Sequence, residues 1–219
     1  MQAQARRLPA AVNPESAPPL DDRDEVKLIG VTKTFPREAE IFAEGDAPDF
    51  IFRVISGAVR SCRLLSDGRR QIIDFFLPGD VFGVELGCEH QAGADALTDA
   101  QVVIARRSSV IAAEPEQAAR LWKHALGELR RSQNHVLTLG RRAACERVAN
   151  FLVDLADRLG GHDAFDLPMS RQDIADYLGL TIETVSRTLT QLQGERLIEL
   201  KSCRRIRFLD RAALEDLCE

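Results

Sequence analysis

The chain of 219 residues lacks any apolar run of the length that a membrane-spanning helix requires. Its first 25 residues also lack the apolar block of a secretory signal peptide, and they carry Pro9, Pro14, Pro18 and Pro19 among alanines and charged residues. We therefore predict a cytoplasmic protein without a membrane partner. Residues 1–25 are predicted to form a flexible N-terminal arm.

Clustered metal ligands are also missing. The five cysteines include no Cys-x-x-Cys pair, and the four histidines show no paired spacing. This pattern gives weak support to a haem or metal sensor, and it argues against a barrel enzyme whose metal would need several histidines and a carboxylate. We predict that the protein is not an enzyme and that it holds no metal or other cofactor.

The sequence has no excess of positive charge. It contains 29 Lys and Arg residues against 34 Asp and Glu residues, which gives a net charge of −5. Even residues 141–219 carry twelve basic side chains against fourteen acidic ones. A protein that binds nucleic acid through its overall charge is therefore excluded, and any such binding must use a local surface.

The most informative segment runs from Ser170 to Arg187 and has the pattern of two helices joined by a turn. Ser170 and Asp173 have the spacing of a capping pair, and Gly179 stands where the first helix must end. Thr181 is placed to cap a second helix. The inner face of that helix is predicted to consist of Val185, Leu189 and Leu192.

The outer face of the second helix carries Glu183, Ser186, Arg187 and Thr190 at helical spacing. In a DNA major groove, arginine can donate two hydrogen bonds to guanine and glutamate can accept one from cytosine. We therefore assign Arg187 to a guanine and Glu183 to the cytosine edge of the opposite strand. The alternative is a solvated helix face that carries charge without a partner.

The segment from Ser170 to Arg187 resembles the C-terminal helix-turn-helix of the CRP/FNR family of bacterial transcription regulators, nearest to its FixK branch. In that branch the glutamate, serine and arginine of this core read TTGA-type half-sites of double-stranded DNA. The resemblance implies that Glu183, Ser186 and Arg187 read bases here. It continues through residues 197–208, where it implies a winged hairpin.

Further residues are predicted to contact the DNA backbone, through hydroxyl groups near the helix starts and through basic side chains in the wing. Strand alternation separates Arg205 and Arg207 from Arg204, so some of the wing charges are expected to be merely solvated. The predicted backbone contacts are Ser170, Thr181, Thr184, Thr190, Lys201, Arg204 and Arg205.

Residues 28–110 alternate short apolar strands with glycine turns, which is typical of a sandwich or rolled barrel. Residues 54–59 and 77–83 resemble the sensor jelly roll of the same family. The resemblance implies an α+β protein with an N-terminal double-stranded β-helix, the cyclic-nucleotide-binding type of jelly roll, over residues 26–113. A dimerisation helix over 114–139 and a winged helix-turn-helix domain over 140–219 follow.

The nucleotide site of such a barrel is expected to be lost. Residues 83–86 keep part of the phosphate-binding frame, but residues 92–98 supply Asp95 and no arginine, and an acid beside a phosphate would repel it. An iron–sulfur sensor of this family uses several N-terminal cysteines, and this chain has none before Cys62. A regulator of the same fold gated by a metabolite or a cyclic nucleotide remains the alternative.

The predicted dimerisation helix carries a stripe at alternating steps of four and three residues, the spacing of two helices packed along each other. The alternative is that this helix packs only on its own barrel. Gly140 is a predicted hinge after it. The predicted dimer interface is Trp122, Leu126, Leu129, Gln133 and Val136.

Cys203 lies in the predicted wing turn beside Arg204 and Arg205, where oxidation would add bulk or charge close to DNA phosphates. We predict it as a possible redox site, the other cysteines being small and mostly buried.

Together these patterns predict a homodimeric regulator that binds a palindromic TTGA…TCAA-like box without cyclic nucleotide. The resemblance implies an activator that contacts RNA polymerase in oxygen-limited metabolism, respiration or nitrogen fixation. A repressor of the same fold would differ only in the position of its promoter site.

Overall fold

The computed structural model describes residues 28–111, 115–141, 143–161 and 163–218. The predicted N-terminal arm, residues 1–25, lies outside these ranges. The described residues form eleven strands and six helices. None of these helices combines the length and the apolar character that crossing a bilayer demands.

The N-terminal half is a barrel made of two four-stranded antiparallel sheets, with strand orders β1-β8-β3-β6 and β2-β7-β4-β5. Apolar side chains from both sheets meet between them and form one core, which includes Phe52, Val54, Val59 and Val102. This architecture confirms the predicted jelly roll. The strands are β1 (Val31–Phe35), β2 (Glu40–Phe42), β3 (Phe50–Ser56), β4 (Val59–Leu64), β5 (Arg70–Phe76), β6 (Val81–Phe82), β7 (Gly93–Ala96) and β8 (Ala100–Arg106).

A short helix α1 (Arg107–Ile111) leads from the barrel to the long helix α2 (Pro115–Gly140). One face of α2 lies on its own barrel, where the Val81 N–H donates a hydrogen bond to Nε2 of His124 at 2.9 Å. On the same face, Nη2 of Arg131 lies 3.8 Å from a carboxylate oxygen of Asp80.

The C-terminal domain is a small helical core flanked by a three-stranded sheet of order β10-β11-β9. The buried side chains of α3 include Val148, Phe151, Leu152 and Leu155, which confirms the predicted core face of this helix. Its elements are α3 (Ala144–Arg158), β9 (Ala164–Asp166), α4 (Arg171–Leu178), α5 (Ile182–Gly194), β10 (Ile198–Leu200), β11 (Arg205–Phe208) and α6 (Arg211–Asp216).

The two domains share one apolar cluster. Ile72, Phe75 and Leu77 of the barrel belong to the same core as the buried residues of α3, α4 and α5. The ring centroid of Phe75 lies 6.2 Å from that of Phe151 and 5.1 Å from that of Tyr177. Helix α4 of the predicted helix-turn-helix is therefore packed directly against the outer face of the β2-β7-β4-β5 sheet.

Candidate nucleic-acid interface

Helix α4 begins with a complete capping box. The Ser170 hydroxyl accepts a hydrogen bond from the Asp173 backbone N–H at 3.1 Å, and the Asp173 carboxylate accepts one from the Ser170 N–H at 2.9 Å. The helix ends at Gly179, whose φ of 63° places it in the left-handed region that glycine adopts without strain. The predicted start and end of this helix are confirmed.

Helix α5 is capped by Thr181, whose hydroxyl accepts a hydrogen bond from the Thr184 N–H at 3.2 Å. The predicted inner face is confirmed, since Val185, Leu189 and Leu192 are at most 1% exposed. Thr188 is buried with them. Because this face is held in the domain core, the opposite face of α5 is turned away from it.

That outward face carries the residues predicted to read bases. Glu183, Arg187 and Thr190 are exposed and Ser186 is half-buried. Ile182, which the sequence analysis did not single out, is 38% exposed at the first turn. The pKa of Glu183 lies below its ordinary value because its carboxylate accepts hydrogen bonds from its own backbone N–H and from the Thr181 hydroxyl. Glu183 is therefore a hydrogen-bond acceptor at neutral pH.

Ser186 is joined to the preceding helix. Nη1 of Arg171 donates a hydrogen bond to the Ser186 hydroxyl oxygen at 3.2 Å, and this leaves the hydroxyl proton of Ser186 available. Arg171 is half-buried and was not among the predicted site residues. Its position at the start of α4 gave no sequence signal for this contact, since the two residues meet only when the helices pack.

The wing places its basic residues in two environments. Arg205 and Arg207 point outward while Ile206 and Phe208 are buried, as strand alternation predicts. Lys201 and Arg207 lie 3.9 Å from Glu199. Such exposed ion pairs contribute little and can be exchanged for a phosphate.

Arg204 lies elsewhere. It is half-buried and lines a cleft of about 430 Å³ between the domains, together with Thr98, Asp166 and Pro168. Arg204 is therefore less accessible to a DNA phosphate than Arg205. The Arg205 side chain is exposed, and its Nη1 lies 3.3 Å from a carboxylate oxygen of Asp166.

All described cysteines are free thiols, and they differ in exposure. Burial raises the pKa of Cys62 and of Cys218 to about 11, and it also raises the pKa of Cys145. Cys203 is exposed in the wing turn, as is Cys88 in the barrel. Two of the five thiols are therefore accessible, and only Cys203 lies near the predicted DNA-binding surface.

Helix α2 presents an apolar face away from its own barrel. The exposed fractions are 68% for Trp122, 48% for Leu126, 54% for Leu129 and 65% for Val136, and Gln133 is exposed between them. The face that packs inward is the more polar one and includes His124, Glu128, Arg131 and His135. The predicted stripe is thus not used for packing on its own barrel.

The barrel interior is occupied by aromatic side chains. The ring of Phe82 lies 5.2 Å from Phe52 and 4.9 Å from Phe76, and the ring of Phe42 stacks on His90 at 3.8 Å. Gly83 lies so close that a Cβ there would meet the Phe52 ring at 2.6 Å. These contacts fill the space between the two sheets.

The prediction that Asp95 would repel a phosphate inside the barrel was wrong. Asp95 lies on the outer face of β7, where its carboxylate accepts a hydrogen bond from Nε of Arg60 at 3.2 Å. The inward residues of β7 are Ala94 and Ala96, both 0% exposed. Asp95 therefore cannot repel a phosphate inside the barrel. Residues 92–98 nevertheless supply no cation toward that interior.

Two known domain families match the chain. Residues 32–124 match the cyclic nucleotide-binding domain, and residues 146–217 match the Crp-like helix-turn-helix domain. The first match covers most of the barrel and the start of α2, and the second covers the DNA-binding elements described above.

Several characterised proteins are similar over most of the chain. The nitrogen fixation regulation protein FixK of Azorhizobium caulinodans is 47% identical over 200 residues, which are 88% of this chain and 81% of that protein. The transcriptional activatory protein AadR of Rhodopseudomonas palustris is 43% identical over 187 residues, 82% of this chain and 78% of that protein. The solved structure of FixK2 from Bradyrhizobium japonicum superposes with a TM-score of 0.83 at 44% identity, covering 88% of this chain and 98% of that one.

Proposed function

Because the chain belongs to the CRP/FNR family of transcription regulators, we propose that it binds a palindromic TTGA…TCAA-like box as a homodimer and activates transcription there. It is a regulator with a helix-turn-helix DNA-binding domain, and its relatives are named regulators of transcription rather than enzymes. In particular, we propose that the box is a palindrome, that the protein binds it as a dimer and that it does so without a ligand.

Base reading is assigned to the outward face of α5. Arg187 can donate two hydrogen bonds to a guanine, and ionised Glu183 can accept from the amino group of a cytosine. Ser186 can donate its hydroxyl proton to a base while its oxygen is held by Arg171. The proposal rests on this exposed polar face. It belongs to a helix whose opposite, apolar face is buried in the core of the domain.

The homodimer is supported by the exposed apolar stripe of α2. A helix that turns polar side chains to its own barrel and apolar ones outward has a strong drive to bury the latter against another surface. The alternating steps of four and three residues suit a second copy of the same helix. Two reading heads related by a two-fold axis would meet two half-sites about 34 Å apart.

Binding without cyclic nucleotide is supported by the packed interior of the barrel. The match to the cyclic nucleotide-binding domain reflects the shared jelly roll, whereas the cation that a buried phosphodiester requires is missing from residues 92–98. We therefore expect the protein without added ligand to bind its site.

The biological setting is proposed from the relatives. Proteins named for nitrogen fixation regulation and for transcriptional activation share most of this chain. We place this regulator in the cytoplasm, in contact with RNA polymerase at genes of oxygen-limited metabolism, respiration or nitrogen fixation.

Selection of bound sequences from a random double-stranded DNA pool tests the proposal. The purified protein is used without any added ligand, and selected sequences are read after several rounds. We expect an inverted repeat with TTGA-type half-sites. Enrichment of unrelated or non-symmetric sequences would contradict the proposed box and the proposed dimer.

A second candidate, a regulator gated by a small metabolite, is favoured by one observation outside the barrel. A cavity of about 580 Å³ lies between β5, α2 and α3. It is lined by Arg131, His135 and Arg141, each of which has a buried nitrogen without a hydrogen-bond partner among the described residues. If gating is required, the protein alone will select no sequence from the pool, and a cell extract passed through a small-molecule filter will restore selection.

A further inference from the structure

Two arginines of the barrel reach helix α4 across the domain boundary. Nη1 of Arg60 donates a hydrogen bond to Asp173 at 3.0 Å, and Nη2 of Arg70 donates to the same oxygen at 2.7 Å. Arg70 also donates to the carboxylate of Asp176 at 2.8 Å. Gln71 adds a hydrogen bond to the backbone carbonyl of Asp176 at 2.7 Å. We call these five residues the α4 anchor.

Asp173 performs two tasks at once. Its Oδ2 completes the capping box with Ser170, and its Oδ1 receives both arginines of the anchor. The side chain is only 6% exposed. Burial alone would raise the pKa of Asp173, but the hydrogen bonds from Ser170 and the two guanidinium groups outweigh it and hold the pKa below its ordinary value.

Arg60 is itself held firmly by the barrel. Its Nη2 donates to Glu38 at 2.6 Å and its Nε donates to Asp95 at 3.2 Å, and the side chain is 7% exposed. Every nitrogen of this guanidinium is thus directed at a carboxylate, so its position is fixed by the barrel before it reaches α4. Losing one partner of a buried charge network is strongly unfavourable, and this keeps the interface closed.

The orientation of α5 follows from that of α4, because the two helices pack together through the core of the domain and through the bond between Arg171 and Ser186. We propose that Arg60 and Arg70 are positioning residues that fix the angle of each reading head relative to the dimer axis, and thereby the half-site spacing that the protein accepts. This inference rests on the proposed palindrome-binding function.

Such an anchor would control the spacing between the two DNA half-sites that the protein accepts. Adding one base pair between half-sites moves one of them by about 3.4 Å and rotates it by about 35° around the DNA axis. Heads fixed to the barrels cannot follow this displacement, whereas heads with a weakened α4 anchor keep the shared apolar cluster but can tilt further toward the displaced half-site. Base reading within each half-site depends on the face of α5 and does not change when the anchor is weakened.

Arg70→Gln is the variant of choice, because the Arg70 side chain is 28% exposed and the buried carboxylate of Asp173 keeps its hydrogen bond from Arg60 in the variant. Arg69→Gln is the matched control, since the neighbouring Arg69 is 77% exposed and pairs with Asp67 within its own turn. Both variants lose one positive charge from the same hairpin. Arg70→Lys tests whether a shorter cation restores part of the contact.

Binding is measured to the selected palindrome, to versions with one base pair added or removed between the half-sites, and to a single half-site. We expect wild type and Arg69→Gln to prefer the selected spacing by about tenfold or more. Arg70→Gln should reduce this preference to about threefold or less while binding the single half-site as wild type does. Arg70→Lys should lie between them.

The outcomes separate the two ideas. If wild type shows no preference for a palindrome, the proposed function fails. If wild type selects one spacing and Arg70→Gln retains the same selectivity, the positioning role is overturned while the proposed function stands. Should Arg70→Gln not fold, Asp176→Asn removes the ion pair between Arg70 and Asp176 while the Arg70–Asp173 pair and the capping box stay intact, and it must relax the spacing preference in part.

Discussion

The imidazole ring of His135 on α2 stacks on the phenol ring of Tyr177 on α4, with centroids 3.9 Å apart and planes inclined by 18°. This contact joins the proposed dimerisation helix directly to the helix-turn-helix. Both side chains line the cavity between the domains. Burial lowers the pKa of His135 below its ordinary value of 6.5, so the folded protein favours the neutral ring.

We expect the His135→Phe variant to keep the stacking and to lose a part of the pH dependence of stability. Below pH 6.5 the unfolded chain binds a proton that the folded His135 resists, so wild type loses unfolding free energy as the pH falls toward the lowered pKa. The variant has no such loss. Urea unfolding at pH 7.5 and at pH 5.5 measures both proteins.

The comparison isolates His135 because other titrating groups are common to both proteins. Glu128, whose pKa burial raises to about 7, has the opposite dependence and loses stability as the pH rises from its unfolded value. If the free-energy difference between variant and wild type is the same at both pH values, His135 does not titrate as described.

Arg187→Ala should lower the affinity for the selected palindrome by about 1–3 kcal/mol per half-site, since it removes a bidentate contact to a guanine. Weak binding to random DNA should change little, because that binding depends on phosphate contacts of the wing. Fluorescence anisotropy with both DNAs at one salt concentration measures the effect. Equal losses for both would show that Arg187 contacts the backbone and not a base.

Leu129→Glu should convert the proposed dimer into monomers. A two-fold interface uses the same surface of both copies, so Leu129 of each copy lies in it. The single substitution therefore places two negative charges in the apolar interface. We expect a rise in the dimer dissociation constant of at least about a hundredfold, which is about 2.7 kcal/mol. Sedimentation equilibrium measures the dissociation constant.

Leu64→Glu is the control, because Leu64 is also exposed, at 71%, but lies on the barrel strand β4. If this control dissociates to the same extent, the proposed α2 interface is contradicted.

Gly179→Ala should destabilise the protein by about 1–2 kcal/mol, because a side chain at a φ of 63° clashes with its own backbone. No neighbouring atom explains such a loss, since an added Cβ would meet only the Leu139 side chain, at an ordinary 3.9 Å. Gly194→Ala, at the end of α5, is the matched control and should stabilise by up to about 1 kcal/mol. Equal effects in thermal unfolding would disprove the strain argument.

The sequence was sufficient for the helix-turn-helix because its information is local. Ser170 caps α4 together with Asp173, three residues further on, and Gly179 ends this helix. The spacing of the apolar residues in α5 defines its buried face. The barrel was predicted less completely. Strand β7 has no clear signal in the sequence, because its inward residues are Ala94 and Ala96, which lack the large apolar side chains that mark a strand.

The anchor of α4 could not be predicted, because Arg60 and Asp173 are 113 positions apart and neither has a pattern that indicates the other. In the sequence Asp173 is fully explained as a capping residue. Arg204 is a second case: strand alternation separates it from Arg205, but only the packing of the domains places it in a cleft.

Oxidation by peroxide should weaken specific DNA binding, and Cys203→Ser should prevent this loss. Cys203 is exposed in the turn between β10 and β11, where Ser202 accepts hydrogen bonds from the backbone N–H groups of Arg204 at 3.3 Å and Arg205 at 3.0 Å. An oxidised sulfur there adds negative charge on the surface proposed to face phosphates. Cys88→Ser is the control, since Cys88 is equally a free exposed thiol but belongs to the barrel. Protection by Cys88→Ser, or continued sensitivity of Cys203→Ser, would place the oxidised site away from the wing. The half-buried thiol of Cys62 is not the expected target, because a thiol with a pKa near 11 reacts slowly at neutral pH.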